Sequence, residues 1–235
     1  MKKNLSKVVF ILIFLSGLSL LLYPYIANQW NAYRQSKLIT TYEQVREEEL
    51  QKEDYSDEWE KASAYNQVLF EENDPNAFAK AEWRESIDEE YLSCLNIAGD
   101  GMMGYLEIPT IDIKLPIYHT TDENVLQKTV GHLEGSSLPI GGENTHAVLS
   151  AHRGLPDAEL FTALDSVKEG DLFYLYILDA ILCYEVDQIL VVKPAEIEEL
   201  LIKEGKDYVT MFTCTPYAVN THRLLVRGHR VENTQ

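Results

Sequence analysis

Basic side chains and cysteines are both scarce in this chain, and each scarcity closes off a class of function. Of 235 residues, 20 are Lys or Arg and 38 are Asp or Glu, for a formal charge of −18. Three of the cations, Lys2, Lys3 and Lys7, precede the first apolar run; with them set aside, 17 basic side chains face 38 acidic ones. Such a body is repelled by nucleic acid and has no polybasic grip on an anionic surface; the charge reads as solubility. The three cysteines, Cys94, Cys183 and Cys214, cannot all pair, and their spacings of 89 and 31 form no CxxC or zinc signature. No disulfide framework, metal or cofactor is expected. Cys94, in Tyr91-Leu92-Ser93-Cys94-Leu95, and Cys183, in Ile181-Leu182-Cys183-Tyr184, read as small apolar core residues. There is no internal repeat and no low-complexity tract.

What is present begins with an apolar run from Val8 to Leu22 that continues through Ala27. A helix of twenty residues is about 30 Å long, the thickness of a bilayer core. The flanking lysines place its N-terminal end in the cytoplasm, and Tyr23, Tyr25 and Trp30 suit the outer interface. The competing reading is a cleaved secretory signal, but Tyr25-Ile26-Ala27-Asn28 lacks the small-x-small pattern that cleavage prefers. Residues 1–27 are therefore read as a cytoplasmic stub and signal-anchor, with the rest of the chain on the extracytoplasmic face.

Residues 28–98 form the next segment. Its first part is rich in Glu, Gln, Lys, Ala and Tyr, with Leu38, Tyr42, Val45, Glu49 and Lys52 at helical spacing. One or two amphipathic helices are expected to about residue 70, then a loop near 71–78 and a further helix over Ala79–Leu95. From residue 99 to 235 the texture turns to short β-rich runs. Strands are expected at 103–108, 111–118, 145–151, 171–177, 181–192, 207–213 and 223–231, with short helices at Glu123–Val130 and Ala195–Lys203. Strands so spaced suggest a closed or nearly closed barrel.

One cysteine differs from the others. Cys214 ends a strand-like run in Met211-Phe212-Thr213-Cys214-Thr215-Pro216-Tyr217, a polar and partly open setting where a thiol can be reached. Arg223 opens the next strand in Asn220-Thr221-His222-Arg223-Leu224-Leu225-Val226-Arg227-Gly228. An arginine beside a thiol favours the thiolate. Upstream lies His146-Ala147-Val148-Leu149-Ser150-Ala151-His152-Arg153-Gly154. His146 and His152, six apart, share a strand face, and Arg223 and Arg227 share another. Parity alone leaves both pairs open, and Arg153 and Arg230 are further rivals for the guanidinium role. His119 and His132 read as structural or loop residues, and His222 and His229 as outward-facing or backbone-bonded. A thiol, an imidazole and a guanidinium at strand edges are the parts needed to attack a carbonyl and hold an oxyanion.

These residues resemble the sortases, membrane-anchored cysteine transpeptidases of Gram-positive bacteria. Thr213-Cys214-Thr215-Pro216-Tyr217 with Asn220-Thr221-His222-Arg223-Leu224-Leu225-Val226-Arg227-Gly228 looks most like class C, the pilus-building branch. The resemblance implies a mainly β fold, a closed eight-stranded barrel with short helices, preceded by a helical segment and the transmembrane helix. It implies Cys214 as nucleophile, His152 as acid and base, and Arg223 at the oxyanion. It implies a Leu-Pro-x-Thr-Gly-like sorting signal as substrate, a thioester on Cys214, and transfer to a lysine amine of a pilin. Anchoring of surface proteins to peptidoglycan cross-bridges is the alternative within that chemistry, and an inactive membrane-tethered binding module the alternative outside it. The chain departs from the class pattern in two places. Many class C members carry a second apolar helix after the barrel, whereas here Val231 is followed by Glu232-Asn233-Thr234-Gln235. The class lid motif is Asp-Pro followed directly by an aromatic residue, whereas Asp74-Pro75 is followed by Asn76-Ala77-Phe78. Asp74 and Phe78 are the expected lid residues, with Phe78 supplying the ring over the site.

Overall fold

The computed structural model of the chain describes residues 2–50, 55–72 and 89–232. Helix α1 (Lys2–Leu50) is one unbroken element. It holds the apolar run and continues through Pro24, long and apolar enough to cross a membrane, with the apolar window unburied. Its later turns lie on the β-structure. Ile39 and Tyr42 are the buried positions there, in contact with Met102 and Tyr105, so the inward face is centred on Tyr42 while Leu38 stays exposed. The Tyr42 hydroxyl donates to Met103 O at 3.2 Å and accepts from Leu178 N at 3.0 Å, stitching α1 to two separate segments of the barrel. Burial pushes that phenol up to about 12, so it stays a neutral donor.

Helix α2 (Ser56–Glu72) buries Ala62 and Asn66. Asn66 donates to Leu138 O at 3.1 Å and accepts from Leu138 N at 2.7 Å, so both backbone groups of one buried loop residue are satisfied by a single side chain. Helix α3 (Glu89–Ser93) falls within the helix expected over Ala79–Leu95 and inserts Tyr91 into the core. Cys94 and Cys183 are buried thiols outside any disulfide, as their apolar neighbours indicated.

Eight strands follow: β1 (Met102–Ile108), β2 (Ile113–His119), β3 (Val130–His132), β4 (Thr145–Ser150), β5 (Leu172–Ile177), β6 (Ala180–Val192), β7 (Asp207–Thr215) and β8 (His222–Val231). They close into a barrel in the order β1-β2-β3-β4-β7-β8-β6-β5. The sheet is mixed: β2–β3 and β4–β7 run parallel, the other pairs antiparallel. Closure leaves no free sheet edge. The interior is filled by Leu106, Ile117, Leu149, Phe173, Leu175, Met211 and Val226 among others.

Seven strands fall where the sequence placed them, within two residues at each end. The eighth, β3, is the three-residue Val-Gly-His run, too short to show a period of two. Helix α4 (Glu123–Leu126) is shorter than the expected 123–130, because Val130 already belongs to β3. The expected helix over Ala195–Lys203 is only a 3-10 turn at Glu198–Leu200, which serves to press Leu200 onto the outside of the barrel.

Candidate active site

Strand pairing arranges one outer face of the barrel in rows across β4, β7, β8 and β6. Odd positions at the end of β7 point inward, with Met211 and Thr213 buried, while Phe212 and Cys214 are half-buried on the outside. Cys214 stands directly opposite Arg223, and Arg223 opposite Val192. Directly opposed residues bring their Cβ atoms within about 4.5–5.5 Å on the same face. On the other side, β4 runs parallel to β7 with Ser150 opposite Phe212. Two residues further on, His152 therefore comes beside Cys214. The continuation holds past the strand's last residue: Ala151 N donates to Phe212 O at 3.4 Å, and Thr213 Oγ1 donates to Ala151 O at 2.8 Å. His152, Cys214, Arg223 and Val192 thus form the row at the open end of the face.

The next row is apolar. Phe212 is opposite Leu225, and Leu225 opposite Leu190. Together with Val148, Leu133 and Val192 they form a hydrophobic cluster that Leu200, from the β6–β7 connection, covers from outside. The third row carries Thr210 opposite Arg227, and the fourth His146 opposite Tyr208.

The two residue pairs that parity left open separate here. Six strand residues span about 20 Å and four about 13 Å, so His146 and Arg227 share the face but lie at its far end. His146 is fully buried: its Nδ1 meets Leu201 O at 3.0 Å and its Nε2 meets Thr210 Oγ1 at 2.7 Å. Burial pushes its imidazole down to about 4, which keeps it neutral. Arg227 forms a two-pronged pair with Asp187, at 2.9 and 3.0 Å, and lies 4.3 Å from the Tyr208 ring centre. Asp187 is aimed there by the register break between Val186 and Gln188. Both groups are fully engaged in structure. His152 and Arg223, by contrast, are half-buried. Among the described residues, Arg223 Nη1 reaches the backbone oxygens of His222 and Asn220, at 3.2 and 3.4 Å.

The remaining histidines divide as the sequence suggested for His119 and His132. His119 Nδ1 and Nε2 lie 2.9 Å from Gly101 O and Cys94 O. His132 is sealed between the Tyr91 hydroxyl at 2.9 Å and Ser137 O at 2.8 Å, and burial pushes it down to about 4. His222 pairs with Thr221 Oγ1 at 2.9 Å on the surface.

Several residues near the site were not placed there by sequence. Arg153, its side chain 8% exposed, pairs with Asp165 and reaches Thr215 Oγ1 at 3.5 Å, tying the loop after β4 to the cysteine end of β7. The Tyr217 ring closes over Gly154, where a Cβ would sit 2.6 Å from a ring carbon; with φ at +76°, that position requires glycine on both counts. Glu123 Oε2 lies 3.4 Å from His152 Nε2. Arg153 was a rival for the guanidinium role, adjacency to His152 was the one sequence signal for Gly154, and Glu123 had none. Asp74 and Phe78, the expected lid, lie outside the described residues. Among the described residues no cluster of His, Cys, Asp or Glu is arranged to hold a metal.

A Sortase domain model matches residues 106–231, more than half of the chain. The chain belongs to the sortase family. Sortases are cysteine transpeptidases, and the thiol row lies within the matched region. Among solved structures, sortase C1 from Streptococcus agalactiae is 47% identical, with a TM-score of 0.73, covering 84% of this chain and 99% of that one. Sortase C-1 from Streptococcus pneumoniae is 42% identical, with a TM-score of 0.74, over 84% and 100% of the two chains. Among curated relatives, Sortase D of Bacillus subtilis is 30% identical over 131 residues, 54% of this chain. The chain spans 63% of that relative's length in the match. The structural neighbours are thus class C sortases over most of the chain, while the match to Sortase D is confined to about half of it.

Proposed function

We propose that the protein is a class C sortase that cleaves a Leu-Pro-x-Thr-Gly-like sorting signal and transfers the acyl part to a lysine amine of a pilin. The observation that carries the reading is the row His152–Cys214–Arg223 on an accessible outer face, with its two look-alikes, His146 and Arg227, engaged elsewhere. The Cys214 thiolate attacks the backbone carbonyl of the signal, and the C–N bond on its C-terminal side breaks. His152 protonates the departing amine, leaving a thioester on Cys214. Arg223 donates to the oxyanion from the neighbouring strand. An incoming lysine amine gives its proton to His152 as it attacks the thioester, and Cys214 is released as thiolate. The Phe212–Leu225–Leu190 row beside the thiol, walled by Leu200, receives an apolar side chain of the signal.

In this reading α1 spans the membrane with its lysine-flanked end in the cytoplasm and the barrel on the extracytoplasmic face, where pilins are presented. The test is product analysis with purified pilin and a sorting-signal donor, set against a peptidoglycan cross-bridge amine. Covalent pilin ladders joined through lysine support polymerisation. Ligation to the cross-bridge amine alone replaces it with wall anchoring, and absence of both, with no labelling of Cys214 by a sorting-signal electrophile, leaves a tethered binding module.

A further inference from the structure

We infer that Glu123 is the positioning residue of the active-site imidazole: its carboxylate, held by Gln127, orients His152 for proton transfer at Cys214. The inference rests on the reading of His152 given above. Glu123 Oε2 stands 3.4 Å from His152 Nε2. The other carboxylate oxygen, Oε1, accepts from Gln127 Nε2 at 2.9 Å, one helical turn along α4. The carboxylate is therefore held from one side and meets the imidazole on the other. With Nε2–H directed at Glu123, Nδ1 is the ring nitrogen left to exchange protons. When the imidazolium forms, the carboxylate lies beside the new charge.

The segments carrying the two groups are fixed, which turns a surface ion pair into a defined geometry. Gln35 of α1 donates to Lys128 O at 2.8 Å, just after α4. On the histidine side, Phe161 N donates to His152 O at 3.1 Å, and Asn31 of α1 donates to Asp157 O at 2.7 Å. Asn28 and Glu159 exchange two further hydrogen bonds, at 2.9 and 3.1 Å. One helix thus holds both loops in register. The other charged groups around His152 are committed differently. Arg153 turns to Asp165 and Thr215, while Arg223 and Cys214 lie in the row across β7 and β8. Among the described residues, Glu123 is the carboxylate that meets the ring.

The pair is open to water, with His152 29% and Glu123 67% exposed, so the effect is that of an exposed ion pair, about two- to fivefold in rate. The experiment uses the full chain in detergent and measures cleavage of a sorting-signal peptide with wild type, E123Q, E123D, Q127A, H152A and the E123Q/H152A double variant. E123Q is expected to lower kcat by about two- to fivefold. KM and thermal midpoint should stay unchanged. E123D should recover part of the loss, and Q127A should show a smaller loss of the same kind. Because Glu123 acts through His152, adding E123Q to H152A should change nothing further. Wild-type kcat for E123Q overturns the inference, as does the same loss in the H152A background, or a drop in thermal midpoint without the kinetic change. Wild-type activity in H152A would instead overturn the assignment of His152 itself.

Discussion

The two ends of one barrel face carry the same residue types on the same strands and use them in opposite ways. At the far end, His146 on β4 and Arg227 on β8 have every polar group answered: Leu201 O and Thr210 Oγ1 for the imidazole, Asp187 for the guanidinium. At the open end, among the described residues, His152 and Arg223 meet a solvent-exposed carboxylate and nearby backbone oxygens. The β6–β7 connection makes the difference, because Leu200 and Leu201 cover one end and stop short of the other. A buried polar group whose partners are all inside the protein contributes to stability. One whose hydrogen-bonding capacity remains unused at an accessible thiol is available for chemistry.

The comparison breaks first at the thiol. Cys214→Ala removes the nucleophile without enlarging a core residue, so sorting-peptide cleavage and thioester formation should fall below about 1% of wild type, with circular dichroism unchanged. The histidines come next. His152→Ala should cost about 10²–10⁴-fold in kcat in a protein of normal thermal midpoint. His146→Ala should do the reverse: lowered stability, by about 1–3 kcal/mol for each buried partner left unpaired, and near-normal kcat in the folded fraction. A more damaging kinetic effect at His146 would invert the assignment.

The arginines sharpen the same contrast. Arg223→Lys keeps the charge but loses the planar fork, and should lower kcat by as much as about 10²–10³-fold, the loss seen when an oxyanion donor is removed. A change confined to KM would mean that Arg223 holds ground-state substrate instead. Arg227→Lys should leave kcat alone and lower the urea midpoint, because Asp187, half-buried at the register break, loses its two-pronged partner.

Much of this was legible because it is local. Period-two runs bounded by Gly and Pro gave seven strands, and the apolar run gave the first helix. The type of company around Cys214 distinguished it from Cys94 and Cys183. What parity could not supply was which end of a strand lies open. His146 and His152 are equivalent in a period of two, and their difference depends on a connection some fifty residues downstream folding back over β4. β3 was hidden because three residues carry no pattern; it exists because Val130 pairs with Ile117 of β2 and His132 with Leu149 of β4. Glu123 was hidden for a related reason, since it reaches His152 only after β2, β3 and β4 have paired.

The effect furthest from catalysis is a pH dependence of stability that belongs to the buried histidines and not to the site. His146 and His132 are both pushed down to about 4, by burial first. Between about pH 6.5, the ordinary histidine value, and pH 4, the unfolded chain binds protons that the folded protein refuses. Proton binding lowers the free energy of the unfolded state as pH falls, so stability should fall from about pH 6.5 downward and level off below pH 4. Asp207, raised by burial, has the opposite sign and acts in the carboxylate range, so the histidine contribution is cleanest between pH 7 and pH 5. Within the titrating window the slope should be about 1.4 kcal/mol per pH unit for each histidine. Urea unfolding at pH 7, 6 and 5 checks it, and His146→Gln, which keeps a polar side chain but cannot titrate, should remove one histidine's share of the slope. A slope unchanged by that substitution would mean that His146 takes up its proton in the folded state, and with that the contrast between the covered and the open end of the face would fail where it is most directly testable.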